Sequence, residues 1–179
     1  MKYRLLSAMF LLFCNQVIAS ENGAFYLGAG SGTTKFTMAA EHGDTNVNVD
    51  QKTFRVMTGL KFNRVAALEA QYVTYGKPEN LAGDVKSYSV MANLGYTFDI
   101  GLKPFVNLGV GIAGLSRDRS KETDARPLLR YGFGLDYTPQ IIPALTIRLA
   151  SETDSISMED DDGTFKANSV YLGLMFNLY

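Results

Sequence analysis

Along most of the chain, apolar and polar residues alternate with a period of two. Residues 87–98, SYSVMANLGYTF, show the pattern most plainly. Tyr88, Val90, Ala92, Leu94, Tyr96 and Phe98 share one side; Ser87, Ser89, Met91, Asn93, Gly95 and Thr97 share the other. Successive side chains of an extended strand point to opposite faces. The segment therefore predicts a strand with one apolar face and one small, polar face.

The same pattern recurs and predicts eight strands, near 24–36, 51–62, 65–75, 87–98, 104–115, 128–137, 145–154 and 168–179. In the first, Phe25, Leu27 and Ala29 oppose Tyr26, Gly28 and Gly30. In the last, Val170, Leu172, Leu174, Phe176 and Leu178 oppose Tyr171, Gly173, Met175 and Asn177. Three connections are short, around Asn63–Arg64, Asp99–Lys103 and Thr138–Ala144. Four are long, at about 37–50, 76–86, 116–127 and 155–167. Long and short occur in strict turn, which puts every long connection at one end of an up-and-down meander.

Two architectures share this pattern. A soluble barrel, such as a lipocalin, turns its apolar face inward. A transmembrane barrel turns that face to lipid and keeps its polar face inside. Four features favour the second. The polar face is rich in glycine (Gly28, Gly30, Gly32, Gly59, Gly95, Gly109, Gly111, Gly132, Gly134 and Gly173). Glycine weakens a strand unless something approaches closely there, as inside a narrow cylinder. That face also carries large ionisable residues of both signs: Arg55, Glu69, Arg130, Asp136, Arg148 and Glu152. Counted up from the short turns, Arg130 and Glu152 stand at nearly equal height on neighbouring strands and are expected to pair. Asp136 and Arg148 form a lower candidate pair. Aromatic residues of the apolar face gather toward the strand ends. Tyr72 and Tyr88 lie near the long loops; Phe62, Tyr96, Phe98, Tyr137 and Phe176 lie near the short turns. Two such girdles suit two membrane interfaces. Finally, the strand lengths match the ~9–11 tilted residues that cross a bilayer, and closure leaves no unpaired edge in lipid. The expected fold is all-β, an eight-stranded antiparallel up-and-down transmembrane β-barrel.

The N-terminus is different. Residues 1–20 read MKYRLLSAMFLLFCNQVIAS, with Lys2 and Arg4 before a short apolar run and Val17-Ile18-Ala19 at its end. This predicts a secretory signal over residues 1–19, with the barrel domain at 20–179. Its removal would take away Cys14, the one cysteine. The net charge would move from -1, with 17 basic and 18 acidic residues, to -3. No cationic excess points to nucleic acid. One histidine and one cysteine leave no multi-histidine metal site and no internal disulfide, so neither metal nor cofactor is expected. The mean hydropathy of -0.02 looks like that of a soluble chain. No apolar run reaches the ~18 residues of a spanning helix. Both observations argue against helices in the membrane and neither argues against a barrel wall, where only every second residue meets lipid.

The phrases FYLGAGSG, GLKFNRVAALEAQY, KPFVNLGVGIAG, LLRYGFGLDY and the terminal YLGLMFNLY, in this order and spacing, carry a resemblance. From about Phe25 to the end, the chain resembles the small eight-stranded outer-membrane barrels of Gram-negative bacteria, the OmpA-like membrane-domain group. The resemblance implies export through the periplasm, insertion by the barrel-assembly machinery, and a monomer among outer-membrane lipid and lipopolysaccharide. It places the long loops outside and the termini and short turns in the periplasm. It also implies that inward charges plug or gate the lumen. One departure is Tyr179, which falls on the inward parity while Phe176 and Leu178 keep the outward phase. No peptidoglycan-binding domain follows the barrel, so a wall-anchoring role is not implied.

The function expected from this is non-enzymatic: support of envelope integrity, or surface interaction and adhesion through the four long loops, with an extracellular ligand that the sequence does not name. The alternative is a narrow, low-conductance pore. Behind these stand a membrane-rim enzyme acting on lipid and a soluble periplasmic ligand-binding barrel. His42, in AEHGD, has no second histidine and no His-x-Ser pair to work with, and reads as a surface residue. The acidic run Glu159-Asp160-Asp161-Asp162-Gly163 lacks the ligand spacing of a calcium loop. SRDRSKETDAR mixes charges that suit a hydrated surface among lipopolysaccharide phosphates. GAGSG at 28–32 opens no helix and is not a phosphate loop.

Overall fold

A computed structural model describes residues 24–40, 43–76, 85–116, 123–157 and 164–178. The expected signal segment, His42, the acidic run at 159–163 and Tyr179 lie outside these residues. Eight strands follow in order: β1 (Ala24–Ala40), β2 (Gly43–Lys61), β3 (Ala66–Thr74), β4 (Val85–Gly95), β5 (Leu102–Ser116), β6 (Thr123–Tyr137), β7 (Leu145–Ser157) and β8 (Thr164–Leu178). Each pairs antiparallel with its sequence neighbours, and β1 closes on β8 from Phe25↔Leu178 to Ala39↔Thr164. The sheet is a closed barrel without an edge.

Several strands run further than the hydrophobic pattern predicts. β1 and β2 continue to Ala40 and Gly43, through most of the expected 37–50 loop. β6 begins at Thr123 and β8 at Thr164. Backbone pairing satisfies N–H and C=O groups whether or not one face is apolar. The ladder therefore outlasts the alternation that betrays it in sequence. The opposite holds at β4, which ends at Gly95. Tyr96 and Phe98 belong to the turn, where the Phe98 N–H donates to the Leu102 carbonyl (2.8 Å).

The β1–β2 register shifts between Thr34 and Phe36, from Thr34↔Gln51 to Phe36↔Val47. The shift is even in its effect on facing: Thr34 and Phe36 both stay buried. An odd slip would have turned one stretch inside out.

The short turns are built by side chains suited to them. Asn63 Oδ1 accepts from the N–H groups of Val65 and Ala66, both at 2.8 Å, an Asx arrangement that replaces missing ladder bonds. Gly101 takes φ +81°, a left-handed conformation that glycine adopts without a Cβ penalty. Its carbonyl accepts from Thr138 N–H (2.8 Å), tying the second short turn to the third. Arg64 reaches Asp99 (3.0 Å) and links the first turn to the second.

The direction of the two faces decides the architecture. Val110 is 67% exposed and Phe133 65%, and Leu27, Val90, Val106, Leu108, Leu149, Leu172 and Phe176 also point outward. Arg55, Glu69, Arg130, Asp136, Arg148 and Glu152 are buried inside. A wall of this kind suits lipid and not water. The soluble barrel with an apolar interior is thereby overturned.

Candidate functional site: the packed lumen

Alternation along four strands delivers the ionisable residues to one interior. Arg55 comes from β2, Glu69 from β3, Arg130 and Asp136 from β6, and Arg148 and Glu152 from β7. Inside they form one connected network arranged in three levels.

The upper level centres on Arg130, which is 1% exposed. Its Nε and Nη2 donate to the two oxygens of Asp154 at 2.5 and 2.6 Å. Nη1 donates to Ser89 Oγ (2.7 Å) and Gln71 Oε1 (3.0 Å), and Nη2 also reaches Ser87 Oγ (2.8 Å) and Tyr75 Oη (2.9 Å). The expected Arg130–Glu152 pair is not formed. The ladder sets Arg130 against Asp154 and Gly132 against Glu152. The height count erred because the third turn is asymmetric: pairing with β6 begins at Ile147, whereas Leu145 and Thr146 pair only with β8.

At the middle level Glu152 pairs instead with Arg55, from the other side of the lumen. Glu152 also accepts from Asn107 Nδ2 and Tyr171 Oη, both at 2.8 Å. The Arg55 guanidinium lies 3.5 Å from the Tyr171 ring centroid, a close cation–π contact.

At the lower level Arg148 bridges two carboxylates. Nε and Nη2 bind Asp136 at 2.7 and 2.9 Å, its direct neighbour in the ladder. Nη1 reaches the Glu69 oxygens at 2.8 and 2.7 Å, and Tyr26 Oη donates to Glu69 as well. Gly59 makes this last bond feasible, since a Cβ there would run into the Tyr26 hydroxyl.

Gln71 joins the levels. Its Oε1 accepts from Arg130 and Arg55, while its Nε2 donates to Glu69 (2.7 Å) and Glu152 (3.2 Å). Gln71, Asp154, Tyr26, Tyr75, Asn107 and Tyr171 were absent from the candidate set. Asp154 was legible: it keeps the parity of Arg148 and Glu152 but falls at the predicted end of its strand. Gln71 carries no charge, and its role depends on partners from three other strands.

Above Arg130 the lumen changes character. Phe36, Val73, Val85, Leu128, Ile156 and Phe165 form a buried apolar cluster at the long-loop end. Phe36 stacks on Phe165 (centroids 5.2 Å) and meets the Tyr75 ring edge-on (6.1 Å). The inward face is therefore not polar throughout. Val73 shares the inward parity of Glu69 and Gln71 and is buried in this cluster. Hydrophobic residues above and paired charges below fill the interior, as expected for a barrel this narrow.

On the outer wall Tyr88, Tyr96, Phe98, Tyr137 and Phe176 are exposed, while Tyr72 and Phe62 are half-buried. Tyr72 and Tyr88 face each other across β3–β4 with ring centroids 4.8 Å apart. Tyr96 and Phe98 meet edge-on at 5.2 Å. The outer wall near the long loops carries Lys35, Lys52, Lys86 and Lys166. A side cavity of about 370 Å³ there is lined by Ser31, Lys52, Phe54, Thr74 and Lys86 among others.

Residues 5–177 match the family model described as outer membrane protein beta-barrel domain. Among solved structures, Neisserial surface protein A (NspA) is similar at 17% identity and a TM-score of 0.63, covering 88% of this chain and 100% of its own. The attachment invasion locus protein Ail of Yersinia pestis, in complex with the heparin analogue sucrose octasulfate, is similar at 21% identity and TM-score 0.53, over 88% and 99%. OprG from Pseudomonas aeruginosa is similar at 14% and 0.50, over 88% and 97%. At these identities the likeness concerns the fold alone. No curated protein matches the chain.

Proposed function

The chain belongs to the outer membrane protein beta-barrel domain family, and from that premise we propose that it is a non-enzymatic outer-membrane protein that supports envelope integrity or surface interaction through its long-loop end. The observation that carries this reading is the filled lumen. Arg55, Arg130 and Arg148 each bind a buried carboxylate, and an apolar cluster covers them. Such an interior supports a structural plug over a conducting path. It is the reason to prefer a fixed ionic core to a gate.

In the same reading, residues 1–19 are an export signal and 20–179 the barrel, inserted by the assembly machinery and monomeric. The short turns face the periplasm. The aromatic side chains near the strand ends anchor the barrel at the interfaces. Lys52 and Lys86, with Lys35 and Lys166, stand at the opposite end, where the phosphates of lipopolysaccharide would surround them.

The test is genetic and direct. Cells lacking the chain should become sensitive to detergent or lose surface attachment. Complementation with variants trimmed at 117–122 and 158–163 should restore the barrel but not the phenotype. Full rescue by the loop-trimmed variants would sink the surface reading. In planar bilayers the purified barrel should be electrically silent, and so should Arg130→Ala. Stable unitary currents from the parent would restore the pore.

A further inference from the structure

The charges inside the lumen do not balance level by level. In the upper and middle levels Arg55 and Arg130 meet Glu152 and Asp154, one for one. At the short-turn end, among the described residues, Arg148, Lys61 and Lys103 face only Glu69 and Asp136. Both carboxylates are already held by Arg148, through four hydrogen bonds. Asp136 stands directly across the ladder from Lys103, yet its oxygens are turned to the guanidinium. Among the described side chains one positive charge is left over, carried by two lysines.

Neither lysine is in an ion pair among the described residues. Lys61 Nζ donates to Asn177 Oδ1 (2.7 Å), and Lys103 Nζ donates to Asn93 Oδ1 (2.9 Å). An ammonium has three N–H donors and no acceptor, so each retains donor capacity. The two come from β2 and β5 and repel each other, while Asp136 attracts both without bonding either. A third donor stands with them. Asn93 is fully buried, and its Nδ2 has no hydrogen-bond partner. Its orientation is not arbitrary: turning the amide over would set an N–H₂ group against the Lys103 ammonium. A buried amide donor without a partner costs free energy, and two lysines that hydrogen-bond no carboxylate among the described residues add repulsion to that cost. A small anion would relieve both.

We propose that the short-turn mouth of the lumen is a binding site for a tetrahedral oxyanion of the phosphate class, held by Lys61, Lys103 and Asn93 Nδ2. Lys61 is half-buried at the mouth and Lys103 lies deeper, so the anion enters from the short-turn side. The Arg148 level, with Met57 and Phe105, closes the path above. The shared chemistry is a phosphate group, whether free or on a lipid headgroup.

The experiment uses the whole chain refolded in an uncharged detergent and follows ³¹P line width during titration with inorganic phosphate, at ionic strength held constant with chloride. Saturable broadening is expected. Lys103→Gln should weaken it by about tenfold or more, the loss of a charge-assisted hydrogen bond. Asn93→Asp should abolish it, because the new carboxylate supplies the lysines with an internal counter-charge in the same volume. That variant should also unfold at higher urea than the parent, which guards against loss of binding through misfolding. A parallel arm places the barrel in nanodiscs with and without phosphatidylglycerol. Competition of that lipid with free phosphate marks a headgroup site; its absence marks a site for soluble phosphate. No saturable response in the parent, or an unchanged response in folded Asn93→Asp, overturns the proposal.

Discussion

Replacing Arg130 by methionine is the sharpest test of the lumen network. The substitution keeps most of the stem volume and removes the guanidinium. Six hydrogen bonds disappear, two of them to Asp154. The loss is uneven. Ser87 retains its contact with the Tyr75 hydroxyl, and Gln71 retains Arg55. Asp154 is left buried, with no other hydrogen-bond partner among the described residues. Breaking a buried ion pair from one side costs ~3–5 kcal/mol, mostly through the orphaned charge. Arg130→Met should lose that much. The double variant Arg130→Met, Asp154→Leu should recover most of it, since replacing a whole buried pair with apolar groups is often close to neutral. The chain has no tryptophan, so unfolding in lipid vesicles is best followed by circular dichroism and gel mobility against urea. A single variant within about 1 kcal/mol of the parent would refute the reasoning, as would a double variant no better than the single. A second cycle with Glu152→Gln separates the two candidate partners, because Arg130 should couple more strongly to Asp154.

Three further outcomes follow from other parts of the wall and lumen. Gly59→Ala should cost roughly 1–3 kcal/mol by overpacking, because the new methyl displaces the Tyr26 hydroxyl from Glu69; the same urea titration reads it. Val110→Lys, in the middle of the outward apolar band of β5, should cost ~2–4 kcal/mol in vesicles, and far less in detergent. Tyr72 and Tyr88 should show a coupling of about 0.5–1.5 kcal/mol in a double-alanine cycle, reflecting their facing rings; additive losses would mean the pair is only adjacent.

Much of this barrel is written in a period of two. Residues 87–98 alone distinguish an outward apolar face from an inward polar one, and the spacing of the short turns places each hairpin. Glycine placement is equally readable: Gly59 and Gly132 lie on the inward parity, where a Cβ would meet Tyr26 or Glu152. The ends of strands are less readable, because pairing beyond the apolar band leaves no mark in hydropathy. Asp154 was missed for that reason, although its parity declared it.

Partner choice inside the lumen belongs to another level of organisation. Which face a residue occupies depends on its own strand, and that is a local property of the extended chain. Which residue it meets depends on the register of neighbouring strands and on the stagger created when β1 closes on β8. The β6–β7 register gave Arg130 to Asp154, whereas closure gave Glu152 to Arg55 and made an uncharged residue, Gln71, the junction of three arginine–carboxylate levels. Closure also gathered Phe36, Tyr75 and Phe165 into an apolar cover, and left Lys61 and Lys103 bonded to asparagines and to no carboxylate among the described residues at the opposite mouth. The strand pattern and the facing of its residues were settled by the sequence alone. The partners that meet across the lumen, and the imbalance of charge they leave, were decided only by closing the cylinder, because electrostatic partners are set by distance in space and not by parity along the chain.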